Sequence, residues 1–306
     1  MIYIVHYDID YHNFILQPLH ERTDVTLIEI PTKISWLMKQ LLRIDHQLKL
    51  NMAPYVRYRK SDIFKLKFVK NDDKIILFSI IYPMDVLWIF KLAKKHPLNI
   101  WTWNIIPYYY TEYIKESTKR GIKFFTFDKG DSIKHSIKLL PQVYRSLNLG
   151  SRAIKNDFVF IGKEKGRIST IANLTKQLEN LGYSGKIIIV GPEHNSIKLK
   201  SLEYSSHLIP YMDVLQIEAS SNVIIDIIQE GQSGLTLRIF EALFMRKKII
   251  SNNSSLEKYA WYNANNIFII GKDNYESLSD FMSQKYVDIP LELLSKYDIN
   301  NWLNNF

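Results

Sequence analysis

Apolar residues along this 306-residue chain come in two alternating rhythms. Short runs of Val, Ile, Leu and Phe read as strands covered on both faces. Longer stretches with apolar positions three and four apart read as helices. The pattern predicts strands over Ile2–Tyr7 and Val25–Ile30 and a helix over Lys33–Leu50. A strand over Lys74–Ile81 follows, closed by Pro83, where a helix over Met84–His96 starts. Then come a strand over Asn99–Ile105, a helix over Tyr108–Arg120 stopped by Gly121, and a strand over Ile122–Phe127. Beyond a polar, aperiodic stretch the alternation restarts. Strands are predicted over Asp157–Ile161, Lys186–Val190, Asn222–Ile228, Lys248–Ser251 and Ile267–Ile270. Helices are predicted over Ile168–Leu181, Met212–Ala219, Leu235–Met245 and Tyr275–Gln284. Strand–helix alternation of this kind implies parallel α/β sheets. The expected division is a first α/β domain over 1–145, a linker over 146–156, a second over 157–290 and a tail over 291–306, either a helix packing back on the first domain or a loose end.

Charge changes this picture. Residues 1–150 hold 23 Lys and Arg against 14 Asp and Glu, while residues 151–306 hold 17 of each, so the whole excess of +9 lies in the first half. A basic half suits an anionic partner, whether a membrane surface, an acidic glycan or nucleic acid. Its densest part is Arg57–Lys74, whose register the pattern does not assign. There Arg57, Arg59 and Lys60 lead a basic run interleaved with Tyr58, Phe64 and Phe68, the composition of a stripe that docks on an anionic bilayer. No nucleic-acid motif accompanies it. The chain has no cysteine, which excludes disulfides and thiolate metal sites. No run approaches the roughly 20 apolar residues of a membrane span. The N-terminus reads as a strand rather than a signal peptide, so a cytoplasmic place at the inner membrane face is expected.

Ligands of open parallel sheets bind beyond the carboxyl ends of the strands. Three polar stretches of the second half fall there. In the first, Gly162 and Gly166 alternate with Lys163, Lys165 and Arg167, a set of mobile and forked cations that suits a diphosphate. The second, Gly191–His194, is a weaker place for a base or ribose edge. The third, Asp226–Leu243, reads as a buried strand, a turn and a helix. Gly231 and Gly234 bracket Gln232 and Ser233. Ser233 is the expected N-cap, and the first turn, with Thr236, offers backbone N–H groups to an anion. Arg238 reaches the same anion, and Glu241, further along the same stripe, is placed for ribose hydroxyls. The plainer alternative is an Arg238–Glu241 pair worth about 0.2–0.5 kcal/mol to the helix.

The run from Gly234 to Leu243 resembles the donor-binding half of GT-B glycosyltransferases. More narrowly, Trp103-Asn104, Phe127–Asp131, Phe160–Arg167, Asp226–Leu243 and Lys247–Asn253 resemble bacterial enzymes of lipopolysaccharide core, O-antigen or capsule assembly. The resemblance covers about residues 99–270. It implies two Rossmann-like parallel-sheet domains facing a cleft, with a nucleotide-diphosphate-sugar on the second and a glycan or glycolipid acceptor on the first. No cofactor or metal is expected, and no nucleic acid. Many retaining members carry a Glu eight residues before the helix Glu; here that place is Ser233, with Glu230 three residues earlier, so stereochemistry stays open.

An inverting transfer needs a general base near the acceptor hydroxyl. His6, Asp8, Asp10 and His12 follow the first strand with one parity and would share a face if it continued. Asp10 and His12 are the leading candidates, with Asp128 and Asp131 after another strand a second place. Trp101, Trp103 and Tyr108–Tyr110 gather at a strand end, where aromatic faces stack on sugars or simply pack. Two other readings remain. Asp8-Ile9-Asp10 is a D-x-D that a metal-dependent transferase would use, and a non-catalytic α/β module would bind an anionic polymer through its basic half.

Overall fold

The computed structural model describes residues 1–32, 58–146, 152–192, 198–229 and 231–306, with positions 35–37, 40, 41 and 44. Most of the helix expected over Lys33–Leu50, together with Arg57, Glu193, His194 and Glu230, lies outside the described residues. The chain divides into one unit of Met1–Val143 with Ile299–Phe306, and another of Tyr144–Asp298.

Each unit is built on a six-stranded parallel sheet. In the first, β1 (Ile2–Tyr7), β2 (Val25–Ile30), β3 (Lys74–Phe78), β4 (Leu98–Thr102), β5 (Lys123–Thr126) and β6 (Lys138–Leu139) lie in the order β2-β1-β3-β4-β5-β6. β1 lies between β2 and β3, with Ile4 opposite Leu27 on one side and Ile76 on the other. In the second, β7 (Asn156–Lys163), β8 (Gly185–Val190), β9 (Leu202–Ser205), β10 (Ser221–Asp226), β11 (Lys248–Ser251) and β12 (Ile267–Ile269) lie in the order β12-β11-β10-β7-β8-β9. All these pairings are parallel, which is why the strands are apolar on both faces: helices cover each side. Phe158, Phe160, Ile187, Ile189, Val223 and Ile225 are fully buried in one cluster against the helix Ile168–Asn180.

The expected elements recur with shifted ends. The helix begun by Pro83 is Pro83–Leu92, and the Tyr108–Arg120 helix splits into a 3₁₀ turn, Tyr108–Tyr110, and the helix Thr111–Thr118. Gly121 follows with φ +88°, the left-handed conformation that ends a helix most cheaply in glycine. Arg57–Lys74 contains a 3₁₀ segment, Asp62–Phe68, begun by Ser61 whose hydroxyl accepts from Ile63 N. The last residues dock on the first unit. Trp302 is fully buried, donates Nε1–H to Pro141 O at 3.0 Å and meets Trp101 edge-on at 5.1 Å. Among the described residues no helix is long and apolar enough to cross a membrane.

Candidate functional site

In the second unit the strand order turns back between β7 and β10, with β8 and β9 outside the one and β11 and β12 outside the other. A crevice opens at such a switch point, beyond the carboxyl ends of the two strands. The loops leaving β7 and β10 meet there and are laced together by arginine. Arg167, 8% exposed, donates Nη1–H to Ile227 O at 2.6 Å, Nη2–H to Lys163 O and Nε–H to Glu164 O at 3.3 Å. Arg238 comes from the helix Leu237–Phe244, donates Nη2–H to Ile161 O at 3.0 Å and holds Nη1 3.6 Å from Asp226 Oδ1. Both guanidiniums lie near the Phe160 ring, at 5.2 and 4.7 Å from its centroid.

Gly162 makes the lacing possible. A Cβ there would stand 2.5 Å from Arg238 Nη2. The loop then turns through Lys165 and Gly166, both left-handed, at φ +48° and +73°. Lys165, not being glycine, adopts this at a cost of about 1–2 kcal/mol, a strain typical of binding loops. Its ammonium is held below the usual lysine range by partial burial and by Arg167, Lys163 and Arg238. Burial and Arg238 together push Arg167 down to about 10. Four cations thus meet in one crevice, offset in part by Asp226 and Glu164, and an added anion would be favoured there.

The buried Asp226 closes β10. It accepts from Thr236 Oγ1 at 2.7 Å and Ser251 Oγ at 3.1 Å. This corrects one expectation: the N-cap of the helix is Thr236, not Ser233, and its hydroxyl serves Asp226 instead of capping. Ser233 is exposed in the preceding turn, Gln232 is half-buried and Gly234 buried. Gly231 supplies the left-handed bend at φ +78°. With no side-chain cap, the N-terminal N–H groups of the helix are left for solvent or ligand.

From the cations a pocket of about 220 Å³ runs along the helix Tyr211–Ala219, past Lys163 and Arg238 to Tyr211, Glu218 and Glu241. Glu241 is 3% exposed and accepts from Tyr211 OH at 2.6 Å. Glu218 is 1% exposed, and its Oε2 meets no hydrogen-bond donor. Burial raises both carboxyls. Glu241 pushes Glu218 further up, while the Tyr211 hydroxyl and Arg238 hold Glu241 down. The proton of the pair therefore belongs on Glu218. Sequence reading missed Glu218 because no motif marks it; only the pairing of two helices across β10 brings it to Glu241.

A Glu218→Gln variant follows from this. Because the folded pKa of Glu218 is raised, the native state keeps a proton that the unfolded chain releases above about pH 4.3. Stability is therefore lost as pH rises from there toward the folded pKa. Glutamine cannot titrate, so Glu218→Gln should melt several degrees above the parent at pH 8 and level with it at pH 4. Each kcal/mol is worth about 2–4 °C in a domain of this size. Differential scanning fluorimetry across pH checks it.

The first unit has its own switch point, between β1 and β3. β1 ends at Tyr7 and a helix, Asp10–Leu16, starts at once, so the expected shared face of His6, Asp8, Asp10 and His12 does not form. Asp8 and Asp10 are exposed, Asp8 accepting from Asn13 Nδ2 at 2.9 Å. His6 and His12 are instead buried together, ring centroids 6.3 Å apart. Among the described residues no group of three or more His, Asp or Glu is arranged to hold a metal. Trp103 is 9% exposed and packs at 5.5 Å from Tyr11 and 5.8 Å from His12. Asp128 is also reassigned. It is buried and caps the helix Lys129–His135 by accepting from Asp131 N at 3.0 Å, while Asp131 accepts from Ile106 N at 2.6 Å. Both carboxylates are committed to structure. Arg59 and Lys60 are exposed.

No known family profile matches the sequence, and no curated protein does. Solved structures do match. The chain is similar along its whole length to an α,α-trehalose-phosphate synthase (UDP-forming) from Burkholderia vietnamiensis, at TM-score 0.59 and 10% identity, covering 100% of this chain and 98% of that one. It is similar to Anabaena HepE in complex with UDP-glucose at TM-score 0.56 and 11% identity, covering 99% and 97%. The fold is GT-B. At such low identity the likeness speaks for architecture: two Rossmann-like domains, each a six-stranded parallel sheet between helices.

Proposed function

We propose that this GT-B protein is a glycosyltransferase that moves a sugar from a nucleotide-diphosphate-sugar to a glycan acceptor of the cell surface, of the lipopolysaccharide, O-antigen or capsule kind. One observation carries the reading. At the switch point of the second unit, Lys163 and Arg238, with Lys165 and Arg167 on the adjoining loop, and an uncapped helix N-terminus border a pocket whose lining also holds the acids Glu218 and Glu241. That polarity matches a nucleoside diphosphate, with phosphates toward Lys163, Lys165 and Arg238 and ribose hydroxyls donating to Glu241. Departure of the sugar leaves negative charge on the diphosphate, which these groups stabilise by fixed electrostatics. Arg167, already bound to three carbonyls, serves as a positioning residue that holds the loop. Structural neighbours carrying UDP-glucose and UDP-GlcNAc support a nucleotide-sugar as ligand.

Burial holds His12 down to about 3, so its imidazole stays neutral in the cell. It is suited to hydrogen-bond an acceptor hydroxyl, and a proton transferred to it would be held weakly. Asp10, exposed two residues earlier at the start of the same helix, is the companion candidate for general base. The test is turnover. The full chain should hydrolyse or transfer sugar from one of UDP-, GDP-, TDP- or ADP-glucose, with and without Mn²⁺. No turnover of any, and no rise in melting temperature with any free diphosphate, would refute the reading. Activity abolished by a chelator would favour the metal-dependent alternative through Asp8 and Asp10.

A peripheral place on an anionic membrane fits the first unit. Lys67, Lys91 and Lys94 surround a groove of about 480 Å³ floored by Phe68, Trp88 and Leu92, and Phe68 is 79% exposed. Vesicles with one third phosphatidylglycerol, roughly the charge of an anionic leaflet, should sediment the protein. A Lys67→Glu, Lys91→Glu, Lys94→Glu variant should lose most of that binding, and equal sedimentation of the two would count against this surface.

A further inference from the structure

The glycosyltransferase reading leaves open what kind of acceptor the first unit takes, and the composition of that unit suggests something anionic. Its pocket at the β1/β3 switch point suggests otherwise. About 310 Å³ in volume, it opens beyond the carboxyl ends of β1, β3 and β4. Among the described residues that line it there is no Asp, Glu, Lys or Arg. The walls are tyrosines, with Tyr11, Tyr82 and Tyr109 among them, and aliphatic residues; the polar contributions are neutral ones from His12, Ser79, Thr102 and Asn104.

Three of the neutral polar atoms are buried without well-aligned partners. His12 is 1% exposed and neither Nδ1 nor Nε2 makes a well-aligned hydrogen bond, the Tyr7 backbone giving the ring only a weak one; Thr102 is 3% exposed and its Oγ1 has none. Behind them His6 Nε2 is likewise unmet. Native interiors satisfy nearly all such groups, so a cluster of exceptions on residues that line one cavity marks a place where ligand or ordered water, reached by a small side-chain adjustment, completes the bonding. The backbone adds a second mark. Ser79, at the tip of β3, holds φ +62°, a left-handed conformation costly for a side-chain-bearing residue, fixed by its N–H donating to Trp101 O at 2.8 Å.

We propose that this pocket binds an uncharged, polyhydroxylated ring, a neutral sugar residue of the acceptor, with hydroxyls bonded to His12 and Thr102. Each of the three atoms finds a match in such a ring. A neutral imidazole has one donor and one acceptor nitrogen, the threonine hydroxyl is both, and sugar hydroxyls are both. Tyrosine faces cover the C–H surfaces of the ring. An acyl chain would leave the three polar atoms unsatisfied, and a phosphate or uronate would enter a cavity that, among the described residues, offers no cation to meet it. The inference rests on the glycosyltransferase reading but concerns the other unit, so the two fail separately.

The experiment is saturation-transfer NMR on the full chain without nucleotide. The ligands are methyl glucoside, galactoside and mannoside, glucose 6-phosphate, methyl glucuronide, uridine and octanoate. At least one methyl glycoside should bind, and Thr102→Val and His12→Phe should each weaken it tenfold or more. Both variants should keep the melting-temperature rise given by nucleoside diphosphate, which reports the second unit. Tighter binding of the phosphate, the glucuronide, uridine or octanoate would overturn the proposal. So would the absence of glycoside binding up to tens of millimolar, or undiminished binding by both variants.

Discussion

Replacing Arg238 by alanine should weaken nucleoside diphosphate binding by about 10- to 150-fold, the loss expected for a charge-assisted hydrogen bond at roughly 1.5–3 kcal/mol. Arg238 is the cation whose position depends on everything else in the crevice. It crosses over Gly162 to Ile161 O, leans on Phe160 and offsets Asp226. Removing it also leaves buried Asp226 without its ion partner, so the variant should melt lower. Arg238→Lys restores the charge but not the planar fork, and should recover part of the affinity only. Arg167→Ala should behave differently. It strips donors from Ile227 O and Lys163 O, so its main effect should be on loop order and stability. Calorimetric titration with a diphosphate separates the two; equal affinity in Arg238→Ala and the parent would remove Arg238 from the site.

Acid should unfold the first unit before the second. Burial holds His6 down to about 4 and His12 to about 3, against about 6.5 in the unfolded chain. For a depressed pKa the stability present above 6.5 is lost as pH falls, because the unfolded state takes up protons the native state refuses. By pH 4.5 the two together cost on the order of 5 kcal/mol, a large share of a typical domain stability of about 5–15 kcal/mol. In the second unit the raised carboxyls of Glu218 and Glu241 work in the opposite sense and favour acid. Tryptophan fluorescence reads this selectively, since Trp36, Trp88, Trp101, Trp103 and Trp302 lie in the first unit and Trp261 in the second. A His6→Leu, His12→Phe variant should shift the acid midpoint down by more than about half a pH unit. An unchanged midpoint would mean that the histidines are not the groups that titrate.

Much of the architecture was legible because parallel strands buried on both faces are written as unbroken apolar runs. β1 and β2 match their predicted bounds, and the loops after β7 and β10, picked out by glycine and cation, do lie at neighbouring strand ends. Where burial is weaker the signal fades. β6 is two exposed residues, and β9 has the half-exposed pattern of an edge strand; neither was foreseen. The parity argument for His6 to His12 failed because a helix began where the strand was assumed to continue. Asp128 looked like a site carboxylate because an N-cap and a catalytic acid at a strand end carry the same residue type. Ser233 was taken for the cap because it follows the glycine turn, but the buried Asp226 draws Thr236 into that position. Glu218 and the neutral pocket of the first unit were invisible for a common reason: both are made by contacts between elements distant in sequence.

The central claim is that the crevice between β7 and β10 is the donor site. It is tested most directly by a crystal structure with whichever of UDP, GDP, TDP and ADP raises the melting temperature most. The diphosphate should lie against Lys163, Lys165, Arg238 and the N-terminus of the helix Leu237–Phe244, with ribose hydroxyls on Glu241 beside Glu218. A nucleotide bound elsewhere on the chain, or with its base at the cations and its phosphates in solvent, would contradict the account.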